Sequence, residues 1–196
     1  MPLNARREPK GARPPPFSRT SMTVDLNQNH FELFGVPVQF AIDTAGLDRR
    51  YRELQREVHP DRFATAPDAE RRVSMQLATR VNEAYQTLKS PLRRAVYILQ
   101  LRGVDPKFET NTAMPAGFLM EQMSWRERIE ADSEKPEALL QLQAGLRDES
   151  GKIYEKLHDQ LDQGRDDEAA SQTTRMLMFY EKLDDEIDDR LAELEA

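Results

Sequence analysis

A histidine, a proline and an aspartate stand side by side at residues 59–61, where an amphipathic segment ends and a polar loop begins. An imidazole beside a carboxylate could transfer a proton, and a carboxylate on a rigid corner could pair with an arginine of another protein. Proline lacks an N–H and clashes with the preceding helical turn, so a helix ending near Val58 is predicted. Because Pro60 also disfavours the α region for His59, the tripeptide predicts a rigid corner facing solvent.

Two helices are needed to position this corner. Before it, apolar residues recur at helical spacing, at Leu47, Tyr51, Leu54 and Val58. The opposite face carries Arg49, Arg50, Arg52 and Arg56. After a turn at residues 66–68, a second helix is predicted to point Val73, Leu77, Val81, Ala84, Tyr85 and Leu88 inward. The pattern predicts an antiparallel helix pair with a basic face beside the corner.

Two antiparallel helices joined by a loop that begins His-Pro-Asp resemble a J domain, the module that stimulates DnaK-type chaperone ATPases. Residues 31–36, 82–88 and 90–95 resemble the first helix, the end of the third helix and the start of the fourth. Arg62 stands where the family usually has lysine, which keeps the charge. The resemblance implies that the chaperone-binding residues are His59, Pro60, Asp61, Arg62, Arg52 and Arg56. An isolated His-Pro-Asp would indicate only a helix stop with a polar turn.

Composition limits the class of protein. The 196 residues suffice for one domain or two small ones, and a charged fraction of 32% with only 8 glycines favours a helical chain. The net charge of −7 divides into +3 for residues 1–28, +3 for residues 29–103 and −13 for residues 104–196, and the acidic part argues against a nucleic-acid surface there. No apolar run approaches the roughly 20 residues of a membrane span. The absence of cysteine excludes disulfides and thiolate metal sites, and favours a reducing cytoplasm.

The pattern along the chain predicts an all-α protein of two domains. Residues 1–28, rich in proline and arginine and without the apolar core of a secretory signal, are expected to be a disordered tail. Residues 29–103 form the J domain, and residues 104–115 form a linker with two prolines. Residues 116–196 are predicted to form a three-helix bundle. Its second helix carries Leu139, Leu142, Leu146, Ile153, Leu157 and Leu161, and its third carries Met176, Tyr180, Leu183, Ile187, Leu191 and Leu194. Gly164 marks a short connection between them.

A second motif, Phe-Leu-Met-Glu-Gln at residues 118–122, precedes this acidic helical region. With a J domain upstream, the chain resembles the HscB family of iron–sulfur co-chaperones over residues 29–195. The resemblance implies that the J domain recruits the DnaK-like chaperone HscA and that the bundle binds the cluster scaffold IscU. The scaffold-binding residues implied by it are Leu119, Met120, Met123, Glu127 and Phe179. Ser124 departs from the acidic residue usual in the family, and Trp125 replaces a smaller apolar residue.

An apolar stripe at helical spacing usually belongs to a core, so the residues alone favour burial of Leu119, Met120 and Met123. The resemblance instead predicts that these three side chains are substantially exposed. Positions 119, 120, 123 and 127 share one helical face, and methionine adapts well to a partner surface.

No set of residues predicts catalysis, a metal or a cofactor. The chain lacks a phosphate-binding glycine loop, and its three histidines have no metal-ligand spacing. The leading prediction is a co-chaperone without enzyme activity, nucleic-acid binding or membrane insertion. A general J protein for unfolded clients and a helical adaptor without chaperone action remain the alternatives.

Overall fold

The computed structural model describes residues 28–105 and 114–195, which fold into helices joined by short turns. The α-helices are α1 (His30–Phe34), α2 (Thr44–Val58), α3 (Asp68–Lys89), α4 (Pro91–Leu101), α5 (Ala116–Ala131), α6 (Pro136–His158) and α7 (Asp167–Glu195). A 3₁₀ turn, Pro60–Phe63, follows α2, and a π-helical turn, Asp159–Gly164, follows α6. The described residues contain no strand, and the all-α prediction is confirmed. The predicted tail and most of the predicted linker lie outside the described residues.

The helices α2 and α3 pack as the predicted antiparallel pair. Leu47, Leu54, Val58, Leu77, Val81, Ala84 and Leu88 are buried between them and their neighbours. The rings of Tyr51 and Tyr85 stack with centroids 4.0 Å apart across the pair. Val73 was predicted to point inward, but it is exposed. The inward position belongs to Ser74, whose hydroxyl donates to the Val58 carbonyl at the end of α2.

The shorter helices α1 and α4 begin and end at residues that cap helices well. Asn29 and Glu32 form a reciprocal capping box at the start of α1, and Gly35 ends it with a positive φ of 67°. Ser90 caps α4 by accepting from the Arg93 N–H, with Pro91 in the first helical position. Gly103, at φ 78°, follows the end of α4. These caps match the boundaries predicted for α4.

The helices α6 and α7 form the antiparallel hairpin predicted for the second region. Salt bridge Arg147–Asp184 and the Gln143–Asp188 hydrogen bond set their register. The predicted inward leucines and Ile153 of α6 are buried, as are Tyr180, Leu183 and Ile187 of α7. Leu194 was predicted to be buried, but it is exposed because this register places it at the first turn of α6, where the bundle ends. The connection is short, as predicted: α6 continues through the π-helical turn to Gly164, and only residues 165–166 separate that turn from α7.

The helix α4 lies between the two regions and contacts both α3 and α7. The helix α5 packs against α6 and α7 and completes a three-helix bundle. The two places where candidate functional residues gather are therefore the free end of the α2–α3 pair and the outer face of α5.

Candidate functional site

The corner after α2 has the shape that the sequence predicts. His59 ends α2 with φ −59° and ψ 128°, outside the α region, and the 3₁₀ turn begins at Pro60. The Asp61 side chain is 91% exposed. Its backbone N–H donates to His59 Nδ1 at 3.3 Å, which leaves the Nε2 side of the ring to carry the proton. The corner thus presents an imidazole and an exposed carboxylate to solvent.

Side chains from both flanks hold the corner in place. The Ser74 hydroxyl, fully buried, donates to the Val58 carbonyl at 3.0 Å. The Arg62 guanidinium donates to the Arg56 carbonyl at 3.2 Å. Both bonds satisfy carbonyls in the last turn of α2 that have no partner within the helix. Arg62, predicted as a chaperone contact, therefore also stabilises the helix end from which the corner projects.

The outer face of α2 separates its arginines into two groups. Arg49 pairs with Asp43, and Arg50 pairs with Glu53 and Glu57. Arg52 and Arg56 are exposed and, within residues 28–105 and 114–195, have no carboxylate at salt-bridge distance. Their charges are the part of the basic face that protein carboxylates leave unneutralised.

The outer face of α5 carries an exposed apolar surface. Leu119 is 45% exposed, Met120 73% and Met123 63%, and Glu127 lies on the same face. We call these four residues the α5 patch. The prediction that its three apolar side chains are exposed is confirmed, and the expectation of a core stripe is wrong. Ser124 is exposed beside them, so this departure from the family pattern lies in the surface itself.

The inner face of α5 explains why the patch is left outside. Phe118, Trp125 and Ile129 take the buried positions, so α5 is apolar on two sides. Trp125 therefore belongs to the bundle interior, against α6 at Gly145, and does not alter the exposed surface. The Tyr180 hydroxyl donates to Glu121 Oε1 at 2.5 Å and joins α7 to α5. Burial, and then this hydrogen bond, raise the pKa of Tyr180.

Phe179 does not lie where the family resemblance placed it. It is only 8% exposed, because α5 covers this side of α7. Its ring meets Phe118 edge to face at 5.6 Å, and the Arg126 guanidinium lies 5.8 Å from its centroid. Phe179 thus supports the inner side of α5.

Sequence reasoning missed the residues that hold both surfaces in place. Ser74 and Tyr180 act through contacts with residues 16 and 59 positions away in sequence. Only the polar Ser74 inside an apolar stripe gave a local signal. In the described parts of the chain, no helix is both long and apolar enough to cross a bilayer, and no cluster of three His, Asp or Glu side chains suits a metal.

Comparisons with known proteins agree with this arrangement. The family model described as a DnaJ domain matches residues 29–97, and the one described as the HSCB C-terminal oligomerisation domain matches residues 114–188. The co-chaperone protein HscB homolog of Aromatoleum aromaticum is 49% identical over 89% of this chain and 100% of its own length. That of Paraburkholderia xenovorans is 51% identical over 87% of this chain and 98% of its own length.

Solved structures show the same likeness. Chaperone HscB from Vibrio cholerae has a TM-score of 0.75 at 38% identity, covering 85% of this chain and 99% of its own. The human co-chaperone protein HscB has a TM-score of 0.80 at 27% identity, covering 95% and 96%. Fold and corner together define a J-domain co-chaperone. The chain belongs to the HscB family, which is a family of co-chaperones and not of enzymes.

Proposed function

We propose that this co-chaperone stimulates the ATPase of the DnaK-like chaperone HscA and delivers the iron–sulfur scaffold IscU to it. The observation that carries the proposal is the pairing of two exposed surfaces on different domains. One is the His59-Pro60-Asp61 corner with the arginines beside it, and the other is the α5 patch. A protein that must hold two partners at once needs two such surfaces.

The corner is suited to recognising a basic group on the chaperone. The exposed Asp61 carboxylate can accept two parallel hydrogen bonds from an arginine, a geometry that adds specificity to charge attraction. Pro60 fixes the backbone before it, and the bonds from Ser74 and Arg62 hold the end of α2. Less conformational freedom is then lost on binding. Arg52 and Arg56 would attract an acidic surface of the chaperone and speed encounter.

The α5 patch is suited to a folded partner with an apolar surface of its own. Its three apolar side chains are unbranched at Cβ, and two are methionines, which can adapt to the contour of a partner. Glu127 lies at the edge, where charge contributes to orientation more than to affinity. The inner side of α5 is held by the buried side chains of Phe118, Trp125 and Ile129. A partner can therefore bind the patch without displacing the helix.

The proposal assigns no chemical step to this chain. ATP hydrolysis would take place in the chaperone, and this chain would act by binding alone. His59 and Asp61 lie 3.6 Å apart between Nδ1 and Oδ2. They would serve recognition and not proton transfer. A cytoplasmic location, where scaffold and chaperone would meet, is part of the same proposal.

Single-turnover ATP hydrolysis by the cognate HscA is the deciding measurement. It is made with the chaperone alone, with this chain, with IscU, and with both. We expect stimulation by this chain and a further increase when IscU is present, because binding of both partners to one chain raises their effective concentration. No stimulation by the chain would contradict the proposal.

The same assay separates the general J protein from the scaffold-specific one. A reduced, unfolded client protein replaces IscU at equal concentration. Equal enhancement by the unfolded client and by folded IscU would favour the general co-chaperone. The α5 patch gathers three exposed apolar side chains on one face of a single helix, which favours one folded partner.

A further inference from the structure

The turn between α6 and α7 reaches across to the J domain. Asp162, in the π-helical turn, accepts hydrogen bonds from two successive backbone N–H groups in the loop between α1 and α2. The Phe40 N–H reaches Oδ1 at 2.7 Å, and the Ala41 N–H reaches Oδ2 at 2.9 Å. Each carboxylate oxygen thus holds one amide of a segment more than 120 residues earlier in the chain.

The Asp162 carboxylate is well fixed for this purpose. Its side chain is only 11% exposed, and His158 Nδ1, one helical turn earlier, lies 2.9 Å from Oδ2. On the J-domain side, Phe40 is buried, with the Arg94 guanidinium 5.0 Å from its ring centroid. A charged acceptor with two backbone donors is stronger than a neutral hydrogen bond and constrains orientation.

A second contact joins the same turn to α4. The Arg102 guanidinium donates from one terminal nitrogen to the Asp167 carboxylate at 2.6 Å and from the other to the Leu161 carbonyl at 2.8 Å. Arg102 ends α4, and Leu161 is the neighbour of Asp162. The J domain is therefore tied to this turn at two places, the α1–α2 loop and the end of α4.

The backbone of the turn is irregular where these contacts form. Asp159–Gly164 has π-helical hydrogen bonding, which widens the helix and redirects its side chains. Arg165 then adopts a left-handed conformation at φ 50°, which is uncommon for a residue other than glycine. A strained backbone conformation of this kind persists only when surrounding contacts stabilise it. The contacts of Asp162 and of Asp167, the partner of Arg102, lie on either side of Arg165 in the chain and can provide that stabilisation.

We propose that Asp162 is a positioning residue that fixes the angle between the J domain and the bundle. Through that angle, it determines how strongly scaffold bound at the α5 patch enhances stimulation of the chaperone. The second statement rests on the function proposed above, whereas the first does not. The reason is geometric: a rigid support can present scaffold bound at one surface to a chaperone bound at the other only at the correct orientation.

The substitution Asp162→Asn tests the proposal with almost no change of shape. The amide keeps one acceptor oxygen, so one of the two backbone N–H groups loses its partner. Asp159→Asn is the matched control, because Asp159 lies in the same turn, loses the same charge and is exposed. Arg102→Met is a second variant that cuts the other contact and leaves Asp162 in place.

Double electron–electron resonance measures the distance between two spin labels, one on each domain, and so reports the orientation of the domains. The chain has no cysteine, so Thr79→Cys on α3 and Asp189→Cys on α7 provide two unique exposed labelling sites. We expect a narrow distance distribution in the parent chain and in Asp159→Asn. In Asp162→Asn the distribution should broaden or shift, and Arg102→Met should act in the same direction. A distribution unchanged by Asp162→Asn would overturn the proposed joint.

Function is read in the same variants. We expect Asp162→Asn to stimulate HscA alone normally and to bind IscU with unchanged affinity. The extra stimulation caused by IscU should fall by about fivefold or more, the usual lower range of coupling between two sites. A variant that merely destabilised a domain would lose one of the first two properties. Full enhancement despite a broadened distance distribution would overturn the link between angle and activity. Loss of stimulation by the parent chain would instead contradict the proposed function and leave the labelling result valid.

Discussion

The His59-Pro60-Asp61 corner and the α5 patch are exposed to solvent for different reasons. The corner is polar and local: proline ends a helix, and Ser74 and Arg62 bind the carbonyls left at that end. The patch is apolar and depends on distant residues: it faces outward because Phe118, Trp125 and Ile129 occupy the inner side of α5. A few adjacent residues are thus enough to expose a polar surface, whereas the exposure of an apolar surface depends on the packing of the whole bundle behind it.

This difference predicts different responses to mutation. Side chains at the corner should affect activity without affecting stability, apart from those that cap α2. Around α5, adjacent residues should differ sharply, because the proposed binding surface lies on one face and the side chains that pack against α6 and α7 lie on the other.

Replacing Asp61 with asparagine should abolish stimulation of HscA. The amide has nearly the shape of the carboxylate but cannot form a charge-assisted pair with arginine. His59→Gln should produce the same loss, and circular dichroism should show unchanged melting for both variants. Asp68→Asn is the control, since Asp68 is similarly exposed at the start of α3. Normal single-turnover stimulation by Asp61→Asn would contradict the role given to the corner.

The two faces of α5 should separate binding from folding. The triple substitution Leu119→Ala, Met120→Ala and Met123→Ala should weaken IscU binding by about 2 kcal/mol or more per anchor residue, measured by titration calorimetry. Its melting curve should stay close to that of the parent. Single alanine substitutions of Trp125 or Ile129, by contrast, should cost about 2–5 kcal/mol of stability each.

Leu140→Ala is the control for the patch, because Leu140 is an exposed leucine of α6 that lies outside it. This variant should melt and bind IscU normally. If the triple substitution in the patch unfolded the bundle, its residues would be structural. If it bound IscU with parental affinity, the scaffold site would lie elsewhere.

Reversing the charge of Arg52 and Arg56 should slow association with the chaperone by about tenfold or more at low salt. The rate should also become less sensitive to ionic strength, because two unneutralised positive charges are lost. Stopped-flow association across a salt series measures both effects. Arg71→Glu with Arg72→Glu makes the same charge change on α3, and an equal slowing there would mean that only net charge matters.

The substitution Ser74→Ala, which removes the hydroxyl, should destabilise the end of α2 that supports the corner. The buried Val58 carbonyl would lose its partner, which costs about 1–3 kcal/mol of J-domain stability. Stimulation of HscA should fall only in part, because Pro60 and Arg62 remain. Thr79→Ala is the control, since the Thr79 hydroxyl bonds to its own helix at an exposed position. Urea unfolding of both variants should show a loss only for Ser74→Ala.

The smallest effect is expected at the opposite end of the α2–α3 pair. Hydrogen bonds from Lys89 and Tyr85 hold the pKa of Asp48 below its ordinary value of 3.8. A carboxyl with a depressed pKa stabilises the fold above the unfolded pKa, and this contribution is lost as pH falls through the folded pKa. Asp48→Asn should therefore lower the melting temperature slightly at neutral pH and flatten the decline in acid. Melting temperatures of Asp48→Asn and of the parent chain, measured across a pH series, check both effects.

The sequence was most informative where structure depends on neighbours in the chain. The ends of α2 and α4 follow from Pro60, Ser90 and Gly103, whose backbone properties act within one turn. The inward positions of α6 follow from its leucine spacing. The exposed corner could be predicted for the same reason, because a proline at a helix end does not depend on the rest of the fold.

Prediction failed where long-range packing decides the outcome. Periodicity alone could not distinguish the two apolar faces of α5, and the correct choice for Met120 came from a family resemblance. Phe179 was placed on the surface because its sequence does not reveal that α5 covers it. The hydrogen bonds from the Phe40 and Ala41 N–H groups to Asp162 had no local signal at all, since the partners are far apart in the chain.

The position of α4 between α3 and α7 has a consequence for synthesis of the protein. The ribosome completes α4 before it makes α5 and α6, and only then does it make the helix that covers the other side of α4. A nascent J domain must therefore emerge with part of its apolar surface uncovered, a condition that favours aggregation. Chains arrested on the ribosome before α7 should be more sensitive to protease near α4 than released chains.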